Sequence, residues 1–140
     1  MAQQNPLKRV LIVDDNREAA DVLAEMLTLC GYDAMAAYDG PSGLDVAQRF
    51  EPDAILLDIG MPGMDGLAVA SALRRQAKFG NTRVVAFTAW GDPQMRERTR
   101  RAGFDTHVVK PAALETIIMA LAGSSIAALD DVGKEVAQSR

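Results

Sequence analysis

Along the chain, short apolar runs alternate with longer segments in which apolar residues recur at three- and four-residue steps. The runs predict strands at Arg9–Val13, 34–37, Ala54–Leu57, 84–88 and Thr106–Val109. Three of them are close to continuous Val, Ile, Leu, Ala and Phe, as expected of strands covered on both faces. The run at 34–37 has weak β propensity and is assigned by its place in the alternation.

Helices fill the gaps. Asn16 caps the first, with Ala19, Leu23, Met26, Leu27 and Cys30 facing inward until Gly31 stops it. The second covers residues 41–49, with Leu44, Ala47 and Phe50 inward. Asp65 or Gly66 opens the third, which presents Leu67, Ala70 and Leu73. Pro93 and Pro111 suit the first turns of the fourth and fifth. The fifth turns Leu114, Ile117, Ile118 and Leu121 to the core.

Strict strand–helix alternation predicts an α/β fold: a doubly wound, five-stranded parallel sheet with helices on both faces. Right-handed crossovers send all the strands one way, so their carboxyl ends share one edge. In such open sheets ligands bind in a crevice outside that edge. The residues leaving the strands there are polar: Asp14 and Asp15 after the first, Asp58 after the third, Thr88 (then Ala89) at the fourth, Lys110 (then Pro111) after the fifth.

Asp58 is the most telling. A carboxylate that ends a buried strand and opens onto Gly60-Met61-Pro62-Gly63 adds nothing to the core and carries a desolvation cost. Three carboxylates in one crevice also repel one another, which raises their proton affinity. A hard divalent cation relieves this, and Mg²⁺ (or Mn²⁺) prefers oxygen ligands. Asp15 and Asp58 are expected as direct ligands, Asp14 as one acting through water, and the backbone carbonyl of Gly60 as a further oxygen. Lys110 supplies a compact cation and Thr88 a hydroxyl donor. The set suits a phosphoryl group carried on one carboxylate, with the metal and Lys110 spreading the charge of the transferring oxygens.

Composition narrows the class. A chain of 140 residues, 49% hydrophobic and 24% charged, fits one globular domain. A net charge of -4 argues against a nucleic-acid footprint. The single cysteine, Cys30, excludes an internal disulfide, fits a reducing compartment and reads as a small buried hydrophobe. No apolar run reaches the roughly 18 residues of a membrane span, and the polar start 1–6 lacks a signal-peptide core. A cytoplasmic location without membrane insertion is expected.

Asp14-Asp15, Asp58 with Met61-Pro62-Gly63-Met64-Asp65-Gly66, Thr88-Ala89 and Lys110-Pro111 together resemble the receiver domains of two-component response regulators. The resemblance runs from about Lys8 to Leu121, so residues 7–122 are expected to form the receiver and 123–140 a tail. It implies a flavodoxin-like strand order of 2-1-3-4-5. It implies that Asp58 accepts phosphate from a phosphohistidine on a sensor histidine kinase or a histidine phosphotransfer protein. It further implies that Asp14 and Asp15 hold Mg²⁺, that Lys110 pairs with the phosphoryl group, and that Thr88 moves to bond it. The fourth helix, fifth strand and fifth helix would form the output face for a partner protein. The Lys110–Pro111 bond would be cis.

The switch position three before the lysine, often Tyr or Phe in the family, is His107 here. His107 reads either as a switch or as a partly exposed strand residue. Gly60 and Trp90, each two residues beyond a motif residue, would tune phosphate lifetime. Trp90 reads either as a shield or as an exposed aromatic awaiting a partner. Arg96, Arg98, Arg100 and Arg101 form a solvated face or a surface for an acidic partner. Asp65 reads as a helix cap ahead of a metal ligand, and Met61 and Met64 as kinase contacts or loop packing.

Other classes fit less well. A hydrolase with an aspartyl nucleophile would want a second aspartate where Gly60 stands. A flavin carrier would want a Ser/Thr/Gly-rich phosphate loop where Asp14-Asp15 stand. The tail leaves no room for a DNA-binding output domain, so a stand-alone receiver is expected, with a module cut from a hybrid histidine kinase as the alternative. Ile126, Leu129, Val132 and Val136 give the tail a weak helical spacing that Gly133 interrupts.

Overall fold

The computed structural model describes residues 8–123; the expected tail helix lies outside the described residues. Five strands alternate with five helices: β1 Arg9–Val13, α1 Arg17–Leu29, β2 Asp33–Ala37, α2 Gly40–Phe50, β3 Ala54–Leu57, α3 Gly66–Arg74, β4 Arg83–Thr88, α4 Pro93–Ala102, β5 Thr106–Val109 and α5 Leu114–Ala122. A short 3₁₀ turn, Ala77–Phe79, which the alternation did not suggest, joins α3 to β4. The sheet is parallel throughout, in the order β2-β1-β3-β4-β5.

Period-two alternation divides the strand side chains between two cores. Leu11, Val13, Ile55, Leu57, Val84 and Ala86 face α2 and α3, whose Val46, Ala47, Val69, Ala70 and Leu73 bury against them, with Met95 and Ala102 of α4 half-buried against the same core. Val10, Ile12, Ala54, Leu56, Val85 and Val108 face α1 and α5, meeting Ala20, Leu27, Ile117, Ala120 and Leu121. β1 and β3 are thus buried on both faces, which explains their unbroken apolar sequence.

The helix starts follow from local chemistry. Asn16 Oδ1 accepts from the Ala19 N–H at 3.0 Å, and Asp65 Oδ1 from the Ala68 N–H at 2.9 Å. Asp65 is therefore a cap. Pro93 takes the first turn of α4. Met61 is buried and Met64 half-buried against the α2–α4 core, so loop packing accounts for both.

Three expectations need correction. The inward face of α1 is Ala20 and Leu27 with half-buried Leu23 and Ala24, while Ala19, Met26 and Cys30 are exposed. Cys30 sits at the helix C-cap, where its backbone N–H bonds back to the last turn and its thiol faces solvent. Pro111 is not in the first turn of α5, because a loop delays that helix to Leu114.

Candidate functional site

The chain leaves β1 for β2 on one side and β3 on the other, so the order reverses at β1. The crevice of a doubly wound sheet opens at such a switch point. Asp14 follows β1 and Asp58 follows β3, and the Asp58 N–H donates to the Val13 carbonyl at 2.9 Å. The two strand ends are thereby locked side by side.

Asp14, Asp15 and Asp58 each bring a carboxylate oxygen within 4.8 Å of the others. Asp14 and Asp58 are buried and Asp15 is exposed. Asp14 Oδ1 accepts from the Asn16 N–H at 3.0 Å, and its Oδ2 lies 3.0 Å from Lys110 Nζ. Asp58 Oδ1 accepts from the Gly60 N–H at 3.2 Å and lies 3.9 Å from Lys110 Nζ. Burial first, then the Asp14 charge, push the Asp58 pKa up to about 6, against the opposing pull of Lys110. Two buried carboxylates beside an exposed third form an oxygen-rich donor set with more negative charge than one lysine offsets. That chemistry fits a hard divalent cation such as Mg²⁺.

Glycine shapes the back of the pocket. A Cβ on Gly66 would run into the Asp58 carbonyl oxygen, and the Gly66 N–H donates to the Ile59 carbonyl at 3.1 Å. The Asp65-Gly66 pair therefore caps α3 and lets its first turn close against the Asp58 loop.

The other expected residues lie on β4, β5 and the loops that follow them. Lys110 leaves the end of β5, with its N–H donating to the Thr88 carbonyl at 2.7 Å; the Lys110–Pro111 bond is cis. Its ammonium also lies 5.1 Å from the Phe87 ring centroid, which steadies it across the crevice. Thr88 is 1% exposed, and its Oγ1 accepts from the Trp90 N–H at 3.2 Å. The Trp90 side chain is exposed on its outer face, yet its inner ring edge approaches Gly60. A Cβ there would lie 3.2 Å from Trp90 Cζ3. His107 is half-buried on β5, with Nε2 2.8 Å from the Trp90 carbonyl oxygen and Nδ1 3.1 Å from Thr99 Oγ1.

Sequence reasoning missed Thr99. Its signal was present: Met95, Thr99 and Ala102 share the inward side of α4 at helical spacing, and Thr99 is 2% exposed. It also missed Arg74, whose guanidinium donates to the carbonyls of Gly103, Phe79 and Thr82 and pairs with Asp105 at 2.8 Å. That network staples the far ends of α3, α4 and β4, away from the carboxylates.

The fold and this edge define a receiver domain. Residues 10–122 match the family model described as response regulator receiver domain, and the chain belongs to that family. Sporulation initiation phosphotransferase F of Bacillus subtilis is 34% identical over 110 residues, covering 79% of this chain and 87% of that protein. The DNA-binding dual master transcriptional regulator RpaA of Synechocystis is 33% identical over 112 residues, 80% of this chain. Response regulator MprA of Mycobacterium avium is 36% identical over 110. The chain spans only 46% of RpaA and 47% of MprA. Among solved structures, chemotaxis protein CheY4 of Vibrio cholerae superposes with a TM-score of 0.79 at 29% identity, covering 83% of this chain and 97% of that one. A Burkholderia pseudomallei response regulator, solved with a phosphorylated aspartic acid, calcium ion and citrate, gives 0.80 at 25% identity, covering 95% of this chain and 75% of that one. No helix among the described residues is long and apolar enough to cross a membrane.

Proposed function

We propose that this receiver takes a phosphoryl group from a phosphohistidine onto the Asp58 carboxylate and works as a phosphoacceptor switch rather than as a turnover enzyme. The observation that carries the reading is the meeting of Asp14, Asp15 and Asp58 within 4.8 Å, with Lys110 bridging Asp14 and Asp58. The phosphorylated aspartic acid and calcium of the Burkholderia relative support it by likeness.

Asp58 is the nucleophile because its carboxyl is held in place by the Gly60 N–H, while the Lys110 ammonium pairs more closely with Asp14 and leaves it free to react. Asp14, Asp15, Asp58 and the Gly60 carbonyl are the groups that would hold Mg²⁺. When bound, the cation neutralises the carboxylates and the charge of the incoming phosphoryl oxygens. Lys110 gives up part of its hold on Asp14 to meet a phosphoryl oxygen. Thr88, buried at the end of β4, turns its hydroxyl from the Trp90 N–H toward the same group. Movement of Thr88 and the Trp90 loop then biases α4, β5 and α5, the proposed output face. Such a switch is a population shift between two arrangements.

The donor is a sensor histidine kinase or a histidine phosphotransfer protein. An apolar groove of about 650 Å³ beside the site, lined by Val22, Leu23, Met26, Pro111 and Leu114, opens next to Asp14 and Lys110. Exposed Val22 and Met26 on α1 fit it to seat the helix that carries the donor histidine.

The test is phosphotransfer from labelled candidate kinases and phosphotransfer proteins to the full chain. Rapid, Mg²⁺-dependent transfer from one of them is expected. Steady turnover of a small phosphate ester in its place would favour an aspartyl phosphatase.

A further inference from the structure

His107 has a partner that its place in the sequence does not suggest: Thr99 of α4. The Thr99 hydroxyl lies 3.1 Å from Nδ1, and Thr99 is 2% exposed, so bulk water does not take its place. Across the ring, Nε2 lies 2.8 Å from the Trp90 carbonyl oxygen. A carbonyl only accepts, so Nε2 must carry hydrogen for that bond to form. Burial holds the His107 pKa below its ordinary value, which favours the neutral ring. A neutral ring with hydrogen on Nε2 presents a bare lone pair at Nδ1, and the lone pair needs a donor. Thr99 is placed to supply one. Its hydroxyl also lies 2.9 Å from the Arg96 carbonyl, so its single hydrogen has two acceptors to choose between.

Trp90 is what the ring holds. Its carbonyl is tied to His107 and its N–H to Thr88 Oγ1 at 3.2 Å. With both backbone groups engaged, the indole edge stands against Gly60, two residues beyond Asp58.

We infer that Thr99 is a positioning residue for the Asp58 site: by donating to His107 Nδ1 it selects the tautomer whose Nε2–H holds the Trp90 carbonyl, and so keeps the indole over Gly60. This rests on the phosphoacceptor reading of Asp58. Without the Thr99 hydroxyl, the neutral ring leaves a half-buried acceptor unsatisfied at Nδ1. The ring then swings toward solvent or moves its hydrogen to Nδ1, which sets a bare Nε2 against the Trp90 oxygen. Either change frees the indole and opens a path for water to a phosphorylated Asp58.

The experiment uses the full chain, Mg²⁺ and acetyl phosphate as phosphoryl donor. The imidazole ¹⁵N shifts of the unphosphorylated wild type come first, and they stand whether or not Asp58 accepts phosphate. Hydrogen on Nε2 with a bare Nδ1 is expected; hydrogen on Nδ1 overturns the inference. Thr99→Val keeps the shape and removes the hydroxyl. It should abolish the Nε2–H preference and shorten the phosphoryl lifetime by about 2- to 10-fold, the worth of one hydrogen bond. Thr99→Ser should restore both. In a His107→Phe background, Thr99→Val should change the lifetime no further. An unchanged tautomer in Thr99→Val, or an equal shortening in the His107→Phe background, assigns Thr99 to helix packing and contradicts the inference. Failure of wild type to accept phosphate strikes the phosphoacceptor reading and leaves the tautomer result to decide this one.

Discussion

Lys110 Nζ lies 3.0 Å from Asp14 Oδ2 and 3.9 Å from Asp58 Oδ1, so the ammonium holds the neighbour of the proposed nucleophile more closely than the nucleophile itself. That leaves Asp58 free to react while keeping the cation within reach of a phosphoryl oxygen. Lys110→Ala should slow phosphoryl uptake by about 10²- to 10³-fold, as expected when a preorganised donor is lost. Lys110→Arg should recover only part of the rate, because a planar fork does not replace a compact point charge. Single-turnover labelling reads both.

Burial makes the ionised Asp58 carboxylate costly, and the Asp14 charge adds to that cost. Burial and the Asp14 charge raise the Asp58 pKa to about 6, above the ordinary carboxylate value, so the folded state binds this proton more tightly than the unfolded state does. The contribution to stability is therefore present below about pH 4 and is lost as pH rises through about 6. With a chelator at pH 7, Asp58→Asn should melt about 2–8 °C higher than wild type. Mg²⁺ should raise the wild-type Tm more than the variant's. A variant less stable than wild type under chelation would contradict this cost of the buried charge.

Trp90 stands against Gly60 with a predicted shielding role. Trp90→Ala should shorten the lifetime of the phosphorylated protein severalfold, about 3- to 10-fold if the indole's loss costs roughly 1 kcal/mol of protection. A direct hydrolysis assay measures this, and an unchanged or longer lifetime speaks against shielding.

His107 is the chain's single histidine, so its titration is free of overlap. Burial, then the charge of Arg96, lower its pKa, while the Trp90 carbonyl and Asp92 oppose them. The unfolded state takes up this proton first on acidification. Stability from the neutral ring is thus present above about pH 6.5 and is lost as pH falls. Its NMR titration midpoint should fall below that of a free histidine, and His107→Phe should flatten the stability curve in this window. A midpoint at or above the free value would contradict the buried, neutral ring.

Much of this was legible in the sequence, for physical reasons. β1 and β3 run where their apolar stretches run, because burial on both faces keeps polar residues out of their interiors. Asp14, Asp58 and Lys110 were readable as strand-end residues because parallel topology sends every such end to one edge. The face of α1 was readable in part. Leu23 and Leu27 turn inward as their spacing predicts, but Val22, Met26 and Leu29 give the outer side nearly as much apolar character, so periodicity also admitted Ala19 and Met26, which are exposed. Cys30 was misplaced with them. Spacing places Thr99 on the inward side of α4, but its pairing with His107 escaped notice because that contact joins two elements, which spacing does not report.

The central claim is that the phosphoryl group resides on Asp58. After phosphorylation in the presence of Mg²⁺, the acyl phosphate is trapped by borohydride reduction and the modified residue is located by peptide mass spectrometry. The modification is expected at Asp58 alone, and Asp58→Ala should take up no label. Label at Asp14 or Asp15, or label retained by Asp58→Ala, would contradict the account.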